Sequence, residues 1–295
     1  MRVKLLAAAM VIGAATTGVL AQQQFRLIAT VVDPNGAEVA TVAATDVRVS
    51  EDGMPATVVE VEAIERVPKV QLLIDNGIGM PNASIGDLRA GVRGFLEALP
   101  PGIEVQIVTT APQPRFLERA TTDRAKLLSA VDRLTPDSGA GRFVESLHEA
   151  TDRVRRDSNE DASYTIVTVG TMSGDANVRD SDMQQTLQRV QQNGITVHVV
   201  LLSTVASTAS GGFAQTELGQ AVTQVSGGRY ESLAVANRLT TLLPEIGKQM
   251  APTLGPGAKQ FRFVVNRPAG ASGDFGKISF SVAGKLVPSV TLEAD

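Results

Sequence analysis

The segment VQLLIDNGIGM, residues 70–80, decides the fold. Four of its first five residues are apolar, and the run ends at a single carboxylate, Asp75, followed by a loop that contains Gly77 and Gly79. A short apolar run of this kind is typical of a parallel strand that is buried on both faces. We therefore predict a central strand that delivers one carboxylate to a loop with few side chains of its own.

Similar apolar runs recur at residues 105–108, 165–169 and 197–202, and they are predicted as further buried strands. Between the strands, apolar residues three or four positions apart predict six helices. Strands that alternate with helices form a doubly wound, mostly parallel sheet with helices on both faces, which is an α/β fold. Ligands of such sheets bind beyond the carboxyl ends of the strands, where Asp75 is predicted to lie.

Short strand patterns with turn signals flank this region at both ends of the chain. Asp52-Gly53 lies between alternating segments and predicts a tight hairpin. A second hairpin is predicted at Gly284-Lys285, near the end of the chain. Because a lone hairpin is marginal in water, the two ends are predicted to pair into one small all-β module.

The first residues have the pattern of an export signal. Basic Arg2 and Lys4 precede an apolar stretch that runs to Leu20, and small residues favour cleavage after Ala21. The stretch is shorter than the roughly 20 residues of a membrane-spanning helix. We predict an exported protein, periplasmic or secreted, with no stable membrane anchor after cleavage.

The predicted organisation has five parts, each set by a change in pattern. They are a signal peptide (1–21), a β segment (22–66), the α/β domain (67–250), a linker rich in proline and glycine (251–260), and a second β segment (261–295).

Composition excludes several functions. The chain has no cysteine, which excludes disulfides and thiol catalysis. Removing residues 1–21 leaves 25 basic against 31 acidic residues, a net charge of about −6 that disfavours nucleic-acid binding. The two histidines, His148 and His198, are predicted in a helix and in a buried strand, where histidines are usually packed groups. We predict that the protein is not an enzyme.

Three stretches together resemble the von Willebrand factor A family. The strand that ends at Asp75 lies where that family has Asp-x-Ser-x-Ser. DVRVSEDG, residues 46–53, is similar to the Asp-Phe-x-Val-x-Glu-Asp-Gly signature of the bacterial VWFA-related domain proteins, with Val47 where phenylalanine is usual. SGGRYES, residues 226–232, resembles the late Gly-Gly-x-Tyr/Phe turn of the family. The resemblance covers nearly all of the predicted mature chain.

In that family the loop after the first strand forms a metal-ion-dependent adhesion site. By resemblance, the two serine places are Gly77 and Gly79, the threonine place lies at or beside Gly141, and the second aspartate place lies near Val169 or Gly170. Magnesium needs a fixed set of protein oxygens, so we predict a degenerate site that holds no metal and no cofactor. Asp175, in the loop after the fourth strand of the domain, would restore a metal if it turned toward the site.

The resemblance implies a binding face at the strand ends. Arg142, beside the threonine place, is hypothesised to pair with Asp75 where the family holds its metal. In the alternative, Asp75 accepts hydrogen bonds from the N–H groups of Gly77 or Ile78. The predicted face consists of Asp75, Asn76, Gly77, Gly79, Gly141, Arg142 and Gly170.

The predicted function is binding of another protein or an envelope component without a metal ion. Two alternatives stay open. In one, compensating ligands make a divalent-cation-dependent adhesion module. In the other, the face is inert and the protein is a structural part of an envelope assembly. The identity of the partner is not encoded in any motif of the sequence.

Overall fold

A computed structural model gives the structure of the protein. It describes residues 23–35, 39–157, 161–173, 178–203, 212–255, 259–273 and 275–293. The predicted signal peptide, residues 1–21, and Asp175 lie outside the described residues. None of the helices within those ranges combines the length and the apolar character that a membrane span requires.

The described chain forms strands and helices in the following order. The strands are β1 (Gln24–Val32), β2 (Val47–Glu51), β3 (Met54–Ile64), β4 (Val67–Ile74), β5 (Glu104–Thr109), β6 (Arg115–Thr121), β7 (Ala162–Thr171), β8 (Thr196–Leu202), β9 (Tyr230–Leu233), β10 (Lys259–Asn266), β11 (Ile278–Val282) and β12 (Leu286–Glu293). The α-helices are α1 (Ile85–Ala98), α2 (Arg124–Asp132), α3 (Phe143–Arg156), α4 (Asp180–Gln192), α5 (Phe213–Ser226) and α6 (Leu239–Leu254).

The central sheet confirms the predicted α/β class. Its strand order is β6-β5-β4-β7-β8-β9, and every neighbouring pair except β5 and β6 is parallel. Leu72 of β4 packs in a core with α1, α2 and α6, while Leu73 packs in the opposite core with α3, α4 and α5. Burial on both faces explains why the central strands are continuous apolar runs.

The edge strand β6 is absent from the sequence prediction. Its sequence, RFLERAT, is polar, and several of its side chains are exposed. An edge strand pairs on one side only, so it does not need the apolar character of β4 or β8. The buried-strand pattern therefore could not reveal it.

The two chain ends form one antiparallel sheet, as predicted. Its order is β11-β2-β3-β10-β1-β12. The hairpin at Asp52-Gly53 is confirmed: Glu51 pairs with Met54, and Asp52 and Gly53 have φ values of 49° and 80°. The turn at Gly284 joins β11 to β12, but the predicted hairpin pairing is wrong. β11 pairs with β2 and β12 pairs with β1, so the two strands lie at opposite ends of the strand order.

The predicted linker overlaps regular structure at both of its ends. Helix α6 continues to Leu254 and β10 begins at Lys259, although 251–260 is rich in proline and glycine. Pro244 and Pro252 both lie inside α6, where proline removes a backbone hydrogen bond. Pro244 packs on α1 at Gly94, where a Cβ atom would lie 2.6 Å from the Pro244 Cγ atom. The proline thus contributes to a close helix contact.

His198 lies in the buried strand β8, as predicted, and its environment keeps the ring neutral. The ring is 5% exposed, and its Nδ1 atom accepts a hydrogen bond from the backbone N–H of Arg229 at 3.1 Å. Burial, with a smaller contribution from the charge of Arg229, lowers the pKa of His198 to about 4. The same Nδ1 atom could not accept this bond if it were protonated.

Lowering the pH from 7 to about 4 is expected to reduce the free energy of unfolding by roughly 3 kcal/mol through His198 alone. The unfolded side chain titrates near pH 6.5 and the folded one near 4. Between these values the unfolded state binds more protons, so stability falls as the pH falls. Urea unfolding at several pH values, for the wild type and His198→Gln, checks this. A variant that keeps the full pH dependence would contradict the assignment.

Candidate functional site

The candidate site lies at the carboxyl ends of β4 and β7. Asp75 directly follows β4, and its backbone N–H donates to the carbonyl of Val169 in β7 at 2.8 Å. Thr171 is the last residue of β7. The parallel register of β4 and β7 therefore brings the carboxylate of Asp75 beside the backbone and side chain of Thr171.

The carboxylate of Asp75 is satisfied by groups of this chain. It is 2% exposed. Its Oδ1 atom accepts from the backbone N–H of Gly77 at 2.8 Å, and its Oδ2 atom accepts from the backbone N–H of Thr171 at 3.2 Å and from the Thr171 hydroxyl. Burial raises the pKa of Asp75, and these three hydrogen bonds act in the opposite direction. The Thr171 hydroxyl also lies 2.8 Å from that of Ser173.

The glycines of the site allow the loops to close on the carboxylate. A Cβ atom on Gly141 would lie 2.2 Å from Oδ2 of Asp75. One on Gly77 would lie 2.5 Å from the carbonyl oxygen of Gly139, and one on Gly79 would lie 1.8 Å from Oγ of Ser173. The space that the family's ligand side chains would need is therefore filled by the protein itself.

Gly170 faces the apolar core behind the site. A Cβ atom there would lie 2.7 Å from the ring of Phe143, the first residue of α3, and 3.2 Å from Leu201 in β8. A carboxylate at this place would clash with the aromatic ring and lose its hydration.

Arg142 makes no ion pair with Asp75, so that hypothesis is wrong. Its Nε atom donates to the carbonyl of Pro112 at 3.2 Å, and its backbone N–H donates to the carbonyl of Thr110 at 3.2 Å. The backbone of Gly141 lies directly against the carboxylate. The alternative is confirmed for the N–H of Gly77, whereas the N–H of Ile78 donates to the carbonyl of Gly139.

Asn76 ties the loop after β4 to the loop before α3. Its Nδ2 atom donates to the carbonyl of Thr135 at 2.8 Å, and its carbonyl accepts from the N–H of Asp137 at 2.7 Å. The carboxylate of Asp137 in turn accepts from the N–H of Gly139 and from Arg115, both within 2.9 Å. These bonds hold the two loops together without a cation.

The residues present do not fit a divalent cation. Across the described ranges, no group of three or more histidine, aspartate or glutamate side chains is placed to hold a metal. Asp75 already accepts three hydrogen bonds, and the nearest hydroxyl, that of Thr171, donates to it. A hard cation would have to displace these donors and gain only one carboxylate.

Six of the seven residues predicted to form the binding face are buried beneath it. Arg142 is half-buried, and the other six form the floor of the site. Among the described residues at this end of the domain, Ile78, between Gly77 and Gly79, and Phe213, at the start of α5, are large apolar side chains that are 65% and 84% exposed. Neither residue belongs to the face that the sequence predicts. An apolar residue within a glycine-rich loop was the available signal for Ile78.

A doubly wound sheet with a buried aspartate at the end of its first parallel strand defines a domain of the Rossmann-like α/β class. Residues 70–173 match the family model described as von Willebrand factor type A domain. The α/β domain is therefore similar to this family over residues 70–173.

Three solved structures illustrate the similarity, each with 12% sequence identity. A von Willebrand factor type A protein from Catenulispora acidiphila matches over 91% of this chain and 73% of that chain, with a TM-score of 0.49. The conserved hypothetical protein BatB from Bacteroides thetaiotaomicron matches over 62% and 98%, with a TM-score of 0.47. The vWF domain of the type V pili tip protein Mfa5 from Porphyromonas gingivalis matches over 65% and 98%, with a TM-score of 0.46. No curated protein sequence matches this chain significantly.

Proposed function

We propose that this chain is an exported protein that binds another protein or an envelope component at the carboxyl-end loops of its α/β domain, without a metal ion and without catalysis. The observation that supports the proposal is that groups of the same chain already hydrogen-bond to the carboxylate of Asp75. Its carboxylate accepts from Gly77 and Thr171, and Gly141 covers it. The acid that the family uses for a cation is thus a structural group here.

The accessible surface above this floor supports direct, apolar recognition. Ile78, in the loop after β4, and Phe213, the first residue of α5, are both exposed at the carboxyl end of the sheet. Large exposed apolar side chains often mark protein-interaction sites. The half-buried guanidinium of Arg142 adds a donor at the same end of the domain, and arginine is enriched in such interfaces.

The absence of catalysis is supported by how the chain uses its titratable groups. His198 is buried and accepts from Arg229. The Nδ1 atom of His148 lies 3.0 Å from the hydroxyl of Thr186 and 3.1 Å from the carbonyl of Asp182. The Thr186 hydroxyl is buried and donates to the backbone carbonyl of Asp182, and neither ring contacts Asp75 among the described residues. Export is supported by the predicted signal peptide at residues 1–21.

Replacing Ile78 with aspartate is expected to reduce capture of the partner at least tenfold, because a charge would replace apolar contact at the centre of the face. Proximity labelling and pull-down from the cell envelope, with and without a chelator, measure this. The matched control is Val67→Asp, since Val67 is 53% exposed at the opposite, amino end of β4.

The outcomes separate the three functions. Capture that survives the chelator and is lost only in Ile78→Asp supports the proposal. Capture that the chelator abolishes, with micromolar magnesium uptake by the metal-stripped protein in calorimetry, would establish the cation-dependent module instead. Equal capture by both variants would favour an inert strand-end face.

A further inference from the structure

The antiparallel sheet has two free edges that border one opening. Among the described residues, β11 pairs only with β2 and β12 pairs only with β1. The two strands are consecutive in the chain and antiparallel to each other, and the turn at Gly284 joins them. Their remaining backbone N–H and C=O groups have no strand partner within the described ranges.

A groove of about 670 Å³ lies between these strands and the ends of α4 and α5. Such a volume is within the usual range of about 300–1,000 Å³ for binding pockets. The ring of Phe280 lies 4.9 Å from that of Phe263 in the centre of the sheet's core, so the groove reaches that core. Its inner wall is apolar and includes Leu27, Ile278, Phe280, Val290 and Leu292.

The outer wall of the groove comes from the α/β domain and from the segment before β11. Val225 at the end of α5 is 39% exposed, and Phe275 is 48% exposed. Exposed apolar side chains around a groove often mark an interaction site, because a bound partner removes their surface from water. Lys277 is the one charged residue in the groove lining among the described residues.

We propose that this groove binds an extended segment of a partner protein, which enters at the open end away from the Gly284 turn and lies there between β11 and β12 as an added strand. Peptide N–H and C=O groups would pair with the free strand edges, and alternate side chains would enter the apolar interior. Because β11 and β12 are antiparallel, the added strand is parallel to one and antiparallel to the other. An acidic residue of the segment pairs with Lys277.

The unpaired backbone groups of β11 and β12 favour a peptide over a lipid as the ligand of the groove. An acyl chain would fill the apolar wall but leave the backbone groups of β11 and β12 without partners and shielded from water. Each such buried group costs about 1–3 kcal/mol. A peptide satisfies both requirements, because it carries a donor and an acceptor at every residue.

A displayed library of linear eight-residue peptides tests the proposal. The chain has no tryptophan, so Phe275→Trp supplies a single fluorescent reporter in the groove. Selected peptides are expected to carry apolar residues at alternate positions with one acidic residue. The synthetic peptide of the most enriched clone is expected to change the Trp fluorescence with a micromolar dissociation constant. Methylating alternate backbone nitrogens of this peptide is expected to weaken its binding at least tenfold, because its hydrogen bonds to the strand edges are lost.

Matched variants locate the site. Val225→Asp places a charge in the groove wall and is expected to weaken binding of the peptide at least tenfold. Val59→Asp, at a position 48% exposed on β3 outside the groove, is expected to leave the affinity unchanged. Ile78→Asp is also expected to leave it unchanged, which separates this site from the strand-end face.

Four results would overturn the proposal. The first is that the library is not enriched over selection on the Val225→Asp protein, and the second is that the enriched peptides have helical spacing. The third is that dodecanoate displaces the peptide and backbone methylation has no effect. The fourth is concentration-dependent self-association that covers the reporter. The last result would identify a second copy of this chain as the occupant.

Discussion

Replacing Glu51 with alanine is expected to lower the free energy of unfolding by about 3 kcal/mol or more, because it removes the carboxylate that accepts two hydrogen bonds from a buried guanidinium. Glu51 and Arg267 have side chains that are 3% and 5% exposed. The pair is bidentate, with distances of 2.5 Å and 3.0 Å between guanidinium nitrogens and carboxylate oxygens. Urea unfolding followed by circular dichroism measures the loss.

This ion pair holds two distant parts of the chain together. Glu51 ends β2 and also accepts from the N–H of Gly276 at 3.1 Å. The next residue, Asp52, accepts from the N–H of Lys277 at 2.8 Å. Phe275 lies 4.7 Å from the guanidinium of Arg267. Loss of the carboxylate is therefore expected to release the segment before β11 from the hairpin.

Glu118→Ala is the matched control for this prediction. Glu118 and Arg133 also form an ion pair, at 3.3 Å, but their side chains are 24% and 56% exposed. An exposed pair contributes only about 0–1 kcal/mol. Equal destabilisation by Glu51→Ala and Glu118→Ala would show that burial does not strengthen the inner pair.

The pH dependence of the same pair has a definite sign. Hydrogen bonding to Arg267 holds the pKa of Glu51 below its ordinary value. The stability that the pair contributes is therefore complete above the unfolded pKa of about 4.3 and is lost as the pH falls below it. The window lies at lower pH than that of His198, so the two contributions can be separated.

The features predictable from the sequence were those that a single strand or helix encodes locally. The run at 70–74 is apolar because β4 is buried on both faces, and periodicity in 85–99 reflects the one side of α1 that packs on the sheet. Pairing partners between distant segments are not encoded in this way. The residues around Gly284 predict a turn, but nothing local shows that β12 pairs with β1, more than 250 residues earlier in the sequence.

In the candidate site, too, some features can be predicted from the local sequence and others depend on tertiary contacts. The loss of ligand side chains at Gly77 and Gly79 can be read directly from the sequence, since glycine has no oxygen to donate. What replaces them depends on tertiary contact. Thr171 contacts Asp75 because β4 and β7 are neighbours in register. The guanidinium of Arg142 donates to the carbonyl of Pro112, and Gly141 covers the carboxylate.

Replacing Gly141 with threonine, the residue that the family resemblance implies for this place, is expected to destabilise the domain by about 3 kcal/mol without creating a magnesium site. Overpacking a filled interior costs about 1–3 kcal/mol. Here the new Cβ atom would also lie 2.2–2.4 Å from three atoms of the Asp75 carboxylate. Moving that carboxylate would break its hydrogen bonds to Gly77 and Thr171, which adds to the cost. Thermal unfolding measures the loss of stability, and calorimetry with magnesium measures the site.

Gly86→Thr provides the control, because a Cβ atom on Gly86, in the first turn of α1, meets no other atom within 4 Å. It adds the same side chain without a clash and is expected to change the free energy of unfolding by less than about 1 kcal/mol. A Gly141→Thr protein that is as stable as the Gly86→Thr protein and binds magnesium at micromolar concentration would show that the loops can reopen. The closed arrangement of Asp75, Thr171 and Gly141 would then be one of two states that the sequence allows, and the chain would have lost its cation site through a single side chain.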